Sequence, residues 1–370
     1  MPDQIKKLDK VRIGIIGCGR IADLNIQGYL DHPGCELVAV CDISEELARR
    51  RKKEWGAKKY YTDYEKLAAD PEVNAVEILL PHRLHLPAVV AAAQAGKHIS
   101  LQKPMCTELW EGRQMIEAAK KAGVWFRVTE NFMYYPPYRK AKQWLDQGEI
   151  GEPLSLDLKL GGGAGGWWVP LKTWLWHIHP EKCGGTPAVY DDGYHKLSMA
   201  KFLMGEIELV KSWLDFTFAY IDVPSLVTWR HKNGVVGVWE VETGVNLMMN
   251  HKYYGADEWL EITGTKGVIT ATRCTSRLME IPPLILYKHG QHIAVDDIRD
   301  DWADSFHDAG WHFIDSLLQG RQPDLSGEDA LYLMKFWKAI WQSHCEKREV
   351  LLSEVKEGSG PEKNERDADT

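Results

Sequence analysis

The sequence predicts an α/β protein in which a doubly wound parallel sheet is followed by an α+β unit with an open, mostly antiparallel sheet. Three observations carry this expectation. Over the first 130 of the 370 residues, short apolar runs alternate with helical patterns, as in strand–helix–strand units. After Asn131 the texture changes at Tyr134-Tyr135-Pro136-Pro137, and runs of strand character take over. Between two of those runs stands Asn233-Gly234, a strong hairpin signal.

Taken in order, Val11 to Ile16 is expected to be a buried strand, with Gly17-Cys18-Gly19 and a helix to about Leu30 behind it. Further strands are expected at Leu37 to Cys41, Ala75 to Leu80, His98 to Leu101 and Val124 to Thr129. Helices are expected between them, at Leu86 to Ala95 and Thr107 to Ala122. The second half offers strands at Leu154 to Leu160, Leu209 to Phe218, Leu226 to Arg230, Val235 to Val241, Trp259 to Thr263 and Val268 to Ala271. A helix should start at Thr186-Pro187, a good N-cap with proline in the first turn. Two helices, Trp302 to Leu318 and Gly327 to His344, close the chain. The resulting division is 1–130, 131–354 and a polar tail, 355–370, expected to be disordered.

Composition narrows the function. Lysine and arginine total 45 against 53 acidic residues, a formal charge of −8 that gives no support for a nucleic-acid or anionic-membrane surface. No run approaches the length of a membrane span, and no apolar signal core precedes the first glycines. Seven scattered cysteines without a Cys-x-x-Cys read as reduced thiols in a cytoplasmic protein.

The segment "VRIGIIGCGRIADL" is a strand, then Gly17-x-Gly19-x-x-Ala22, then a helix. Gly17 permits the tight turn, Gly19 lets the backbone approach a pyrophosphate, and Ala22 allows close helix–strand packing. The helix start, with Arg20 and Ile21, offers N–H groups to phosphates. Such a context on both sides of the glycines is that of a Rossmann-type dinucleotide site. Asp42, closing "ELVAVCD", is placed to bind ribose hydroxyls and to repel a 2′-phosphate, which favours NAD over NADP; Arg49 to Arg51 lie a helix turn or more further on. Lys103-Pro104 ends the fifth strand, where open α/β sheets bind ligands, so Lys103 is expected near the nicotinamide.

Within "YDDGYH", Asp191 and His195 stand four residues apart and are expected to share a helix face. Gly193 between them would admit a flat ring, and Asp192 would point into solvent. The segment "GGGAGGWWVPLKTWLWHIHP" (161–180) reads as a flexible glycine run feeding an aromatic lid or a packing loop. His177-Ile178-His179 with Cys183 is too loose a pattern for zinc, and no metal is expected.

Taken together, four ordered motifs resemble the Gfo/Idh/MocA oxidoreductase family, from Val11 to about Leu352. They are Gly17-x-Gly19-x-x-Ala22, "PHRLHLPAVVAAAQAGKHISLQKP", "GGTPAVYDDGYHKLSMAKFLMG" and the ending "FIDSLLQGRQPDLSGEDALYLMKFWKAIWQS". The resemblance implies NAD as cofactor, Lys103, Asp191 and His195 as catalytic residues, and a homo-oligomer. Gln102 stands where the family usually has glutamate. Gln102, Lys103 and His85, with His82 nearby, are then expected at the cofactor. Asn131, Tyr134, Trp176, His177 and His179 are expected, with Asp191 and His195, at the substrate.

The expected reaction moves a hydride between nicotinamide and a secondary hydroxyl of a sugar, glycoside or cyclitol. His195 is the base, Lys103 stabilises alkoxide charge, and Asp191 orients either. By analogy with the family, C3 of a pyranose is the expected position. An aromatic substituent is expected from Trp167, Trp168, Trp174 and Trp176, four of the 16 tryptophans. An NAD-dependent glycosidase working through transient C3 oxidation is the alternative.

Overall fold

The computed structural model describes residues 5, 7–166, 175–216, 221–249, 252–272 and 279–358. Trp167, Trp168 and Trp174, and residues 359–370 of the tail, lie outside the described residues.

Six short strands form the first sheet: β1 (Val11–Ile16), β2 (Cys35–Cys41), β3 (Lys59–Tyr61), β4 (Ala75–Ile78), β5 (His98–Gln102) and β6 (Phe126–Thr129). They are parallel, in the order β3-β2-β1-β4-β5-β6. The order reverses between β1 and β4, the switch point at which such sheets leave a crevice. Apolar β-branched side chains explain the strands: Val11, Ile13, Ile15 and Ile16, and Val38 and Val40, are buried, as a sheet covered on both faces requires. β3 was not expected, because it is a half-buried edge strand of three residues that begins with Lys59 directly after Lys58. The expected helix after Gly19 is two turns, Ala22–Asn25 and Gln27–Leu30.

The second sheet runs β14-β13-β12-β11-β7-β10-β9-β8-β15 among the described residues. Its strands are β7 (Pro153–Gly166), β8 (Ile207–Leu214), β9 (Ser225–His231), β10 (Val236–Met248), β11 (Tyr254–Gly264), β12 (Gly267–Thr272), β13 (Leu284–Lys288), β14 (Gln291–Val295) and β15 (Val350–Leu351). Neighbours are antiparallel except β7 and β10. Asn233-Gly234 makes the β9–β10 turn, with Gly234 at φ +91°. The unexpected hairpin β13–β14 turns at His289-Gly290, both with positive φ (51° and 75°); the turn chemistry was present with histidine in asparagine's place.

Two expectations about loops are corrected. The glycine run Gly161 to Gly166 is the end of β7, paired with β10 and β11. A Cβ on Gly162 would lie 3.0 Å from Thr243 Oγ1, so small residues suit this crowded strand. The tail is described as far as Gly358, and Glu357 within it pairs with Arg113 and Lys335, each at 2.8 Å.

Trp229 and Trp239 fill the core beneath the second sheet. Full burial of such a side chain contributes ~1.5–3 kcal/mol or more. Among the described residues, no helix is long and apolar enough to cross a membrane.

Candidate active site

The glycine turn has the backbone a dinucleotide requires. Gly17 sits at φ +95°, and a Cβ there would lie 2.3 Å from the Leu79 carbonyl oxygen. A Cβ on Gly19 would meet nothing within 4 Å, so the turn faces open space rather than protein. Asp42 accepts hydrogen bonds from the Cys18 N–H (3.0 Å) and the Ser44 N–H (2.9 Å), which fixes its carboxylate beside the turn. Gln102 Oε1 accepts from the Lys103 N–H at 2.9 Å, while its buried Nε2 has no partner within the described residues. An orphaned donor of this kind is costly unless a ligand meets it. These residues fit NAD: Gly17 to Ile21 for the pyrophosphate, Asp42 for a ribose, Gln102 and Lys103 toward the nicotinamide end.

Beyond β5, Lys103 reaches across to the second half of the chain. Its Nζ donates to the Asp191 carbonyl oxygen (2.9 Å) and to Asp191 Oδ1 (3.1 Å). Asp191 also has His177 Nε2 3.4 Å from Oδ2 and His82 Nε2 3.6 Å from Oδ1. His82 Nδ1 donates to the Cys183 carbonyl at 2.7 Å, and its ring meets Trp176 edge-on at 4.8 Å. Trp176 stacks on His177, with centroids 3.8 Å apart.

Electrostatics sort this cluster. Burial alone would lower the Lys103 pKa, but Asp191, Asp192 and Glu130 outweigh it and hold the ammonium above the ordinary lysine range. For Asp191, burial raises the pKa while Lys103, His82 and His177 bring it down to about 2. His82 is pushed down to about 3 by burial, against the pull of Asp191. Near neutral pH the cluster therefore holds a cationic lysine, an anionic aspartate and a neutral His82.

The helix that supplies Asp191 is not the continuous α-helix expected. Pro187–Asp192 is π-wound, and the α-helix begins at Tyr194 and runs to Met204. Thr186 caps it, accepting from the Tyr190 N–H at 3.3 Å. Buried Asp222 takes the Thr186 hydroxyl (2.6 Å) and the Ala188 and Val189 N–H groups (2.8 and 2.7 Å). Wide turns of this type recur at functional sites because they re-aim side chains. Here Asp191 faces Lys103, while the carboxylate that holds His195 is Glu130: both its oxygens lie 2.8 and 2.9 Å from His195 Nδ1. Phe132 stacks on the imidazole at 4.1 Å and 17°. Glu130 was missed because it lies 65 residues from its partner, outside every recognisable motif.

Several expected positions are corrected. Gly193 does not admit a ligand ring; its missing Cβ makes room for the Trp239 indole, 2.5 Å from the position that atom would occupy. Asp192 is half-buried rather than pointing into solvent: its Oδ2 is buried without a partner in the described residues, and its charge acts on Lys103. His85 is fully buried, with Nδ1 3.1 Å from the Met105 carbonyl and Nε2 2.8 Å from that of Leu80, so it ties the ends of β4 and β5 together rather than facing a cofactor. Asn131 is buried and donates to Ser305 Oγ at 2.8 Å. Tyr134 packs on His312 (5.2 Å) under Arg139, its hydroxyl donating to Asp324 at 3.4 Å. Both are buried among core partners. His179 is exposed, and its carbonyl accepts from the Lys182 and Cys183 N–H groups. Arg20 is exposed beside Ile21 at the first helix.

Comparison with known proteins agrees with this architecture. Residues 11–130 match the family model described as an oxidoreductase family with an NAD-binding Rossmann fold. Residues 138–270 match that of the GFO/IDH/MocA C-terminal domain. The myo-inositol 2-dehydrogenase of Thermotoga maritima is 28% identical over 360 residues, 93% of this chain and 99% of that protein. The D-apiose dehydrogenase of Paraburkholderia graminis is 26% identical over 363 residues, 92% of this chain and 89% of that one. The crystal structure of a probable dehydrogenase from Thermotoga maritima superposes with a TM-score of 0.76 at 27% identity, covering 94% of this chain and all (100%) of that one. With its NAD-binding domain and the glycine turn, lysine and D-x-G-x-H helix in place, the chain belongs to the Gfo/Idh/MocA oxidoreductase family.

Proposed function

We propose that this protein is an NAD-dependent dehydrogenase that moves a hydride between nicotinamide and a secondary hydroxyl of a neutral sugar, cyclitol or glycoside. One observation carries the reading: a lysine held cationic by Asp191 at the carboxyl end of β5 shares its surroundings with a carboxylate-bound histidine. Bound nicotinamide supplies the hydride acceptor, or the donor in reverse. His195 takes the hydroxyl proton, and Lys103 donates a hydrogen bond to the oxygen as it gains negative charge. Asp191 orients the ammonium, with His177 on its other oxygen. The relatives named for myo-inositol and D-apiose support a polyhydroxylated substrate.

Charge sharpens the class. Asp191, Asp192 and Glu130 all act on Lys103, so the site favours a neutral ring over a sugar acid. NAD is favoured over NADP because Asp42 guards the ribose and the nearby arginines are engaged elsewhere. Arg49 pairs with Glu45 (2.8 Å), Arg50 with Glu54 (3.7 Å), and Arg51 with Asp23 (2.6 Å) and Glu54 (2.8 Å). The aromatic-substituent idea loses one support, since Trp176 gives a face to His177. Oxidation at C3 is retained as the position to test first.

We also take 1–130 and 131–354 as the two domains, a division supported by the two sheets and the two family matches. A cytoplasmic homo-oligomer is supported by the six unpaired cysteines among the described residues and by exposed Trp213, Trp341 and Leu351.

The test is NADH formation with inositols, free aldoses, alkyl and aryl glucosides and the matching uronic acids. Neutral rings should be oxidised and the carbonyl located by NMR. Turnover confined to acids, or none with any polyol, overturns the proposal.

A further inference from the structure

The segment Glu130-Asn131-Phe132, directly after β6, forms a cradle around His195. Glu130 is buried and brings both carboxylate oxygens to Nδ1. The carboxylate is itself fixed, because Oε1 also accepts the Phe132 N–H at 2.9 Å. Phe132 covers the face of the ring, and Lys196, paired with buried Glu258, places its Nζ 4.6 Å from the Phe132 ring centre. Asn131 anchors the segment to the helix Trp302–Gln319 through Ser305. The imidazole is thus held at one edge and one face by a single tripeptide.

We infer that Glu130 is a positioning residue that makes His195 the base, by fixing the tautomer with hydrogen on Nδ1. A carboxylate only accepts, so a nitrogen bound to both its oxygens carries the hydrogen, and the lone pair of the neutral ring is on Nε2. Nε2 is then the nitrogen that takes the substrate's hydroxyl proton. The imidazolium formed in that step lies against a buried negative charge, which stabilises it as it appears. Released hydride and transferred proton leave together as the carbonyl forms, so the balance needs nothing beyond the proposed cofactor.

The inference rests on the proposed role of His195, and the experiment separates the two. Glu130→Gln keeps size and one acceptor but removes the charge. Its kcat should fall on the order of tenfold to a hundredfold, part of the usual scale of acid–base help, with KM and NADH affinity changed less than about threefold. In a His195→Ala background the same substitution should cost less than about twofold, because its effect runs through the ring. An equal loss in both backgrounds, or unchanged kcat in Glu130→Gln, overturns the positioning role. If His195→Ala itself keeps full turnover, the functional reading fails instead. Should Glu130→Gln not fold, histidine-ring ¹⁵N NMR of the wild type decides, with His195→Ala for assignment. Hydrogen on Nδ1 supports the inference, and hydrogen on Nε2 of the neutral ring overturns it.

Discussion

Two basic side chains, each held by a carboxylate, meet in this site, and they are built in opposite directions. Lys103 comes from the end of β5 in the parallel sheet and takes its carboxylate, Asp191, from the second half of the chain. His195 comes from the second half and takes its carboxylate, Glu130, from the end of β6. Each pair crosses the seam between the two sheets, so the site exists only when both halves are docked. Tyr190 adds to the docking, donating to the Cys106 carbonyl at 2.8 Å. The difference between the pairs is one of charge. Lys103 has several acidic neighbours that keep its ammonium in place, which suits steady electrostatic stabilisation and ill suits a base. The imidazole is the group of the two whose ordinary pKa lies near neutrality, so proton transfer falls to it.

Removing either member should break the comparison most sharply. Lys103→Ala and His195→Ala are each expected to lower turnover at least about a hundredfold, while NADH binding, read by tryptophan fluorescence, survives. Lys103→Ala also leaves the half-buried Asp191 carboxylate without its cation, so thermal stability should fall too. Near-normal turnover in either variant removes that residue from the mechanism.

A smaller effect is expected at the remote end of the cofactor. Asp42→Ala should weaken NADH binding about tenfold and narrow its advantage over NADPH, because the carboxylate no longer meets the ribose or repels a 2′-phosphate. Titrating both cofactors against both proteins measures this; NADPH binding as tightly as NADH in the wild type would contradict it.

The smallest effect concerns His82, the neutral member of the Lys103 cluster. Its pKa is about 3 in the folded protein against 6.5 for an ordinary histidine. The unfolded chain therefore takes up this proton first. The stability held by the neutral ring is complete above about pH 6.5 and is lost progressively as pH falls toward 3. His82→Asn retains a donor for the Cys183 carbonyl without titrating. Wild type should then lose several degrees of Tm relative to His82→Asn between pH 7 and pH 4, as about 1.4 kcal/mol per pH unit requires for one such group. A constant difference across that range would show that folding does not lower the His82 pKa.

Most of what was legible lay in stretches where neighbours in sequence are neighbours in space. The glycine turn works through the backbone of Gly17 to Ile21, and the strand before it and helix after it announce its conformation. Lys103 was legible because the end of a parallel strand is a place in the fold as well as a place in the chain. Asp191 was identified, yet its aim was not: α-helical spacing put it beside His195, and the π-wound turn put it on Lys103. Gly193 was noticed for the wrong neighbour, because nothing local reveals that Trp239 on β10 needs the space.

The sequence by itself determined the doubly wound sheet, the dinucleotide turn and the choice of Lys103, Asp191 and His195 as candidates, because periodicity, turn chemistry and short motifs are local properties of the chain. Only the tertiary structure decided which carboxylate serves which base, that Asn131, Tyr134 and His85 belong to the core, and that Asp192 turns inward. Those outcomes depend on contacts between residues tens to hundreds of positions apart, such as Asn131 with Ser305 and His195 with Glu130. Burial then sets their cost: a polar group shut away from water must find a partner, and which one it finds is a matter of packing rather than of spacing along the chain.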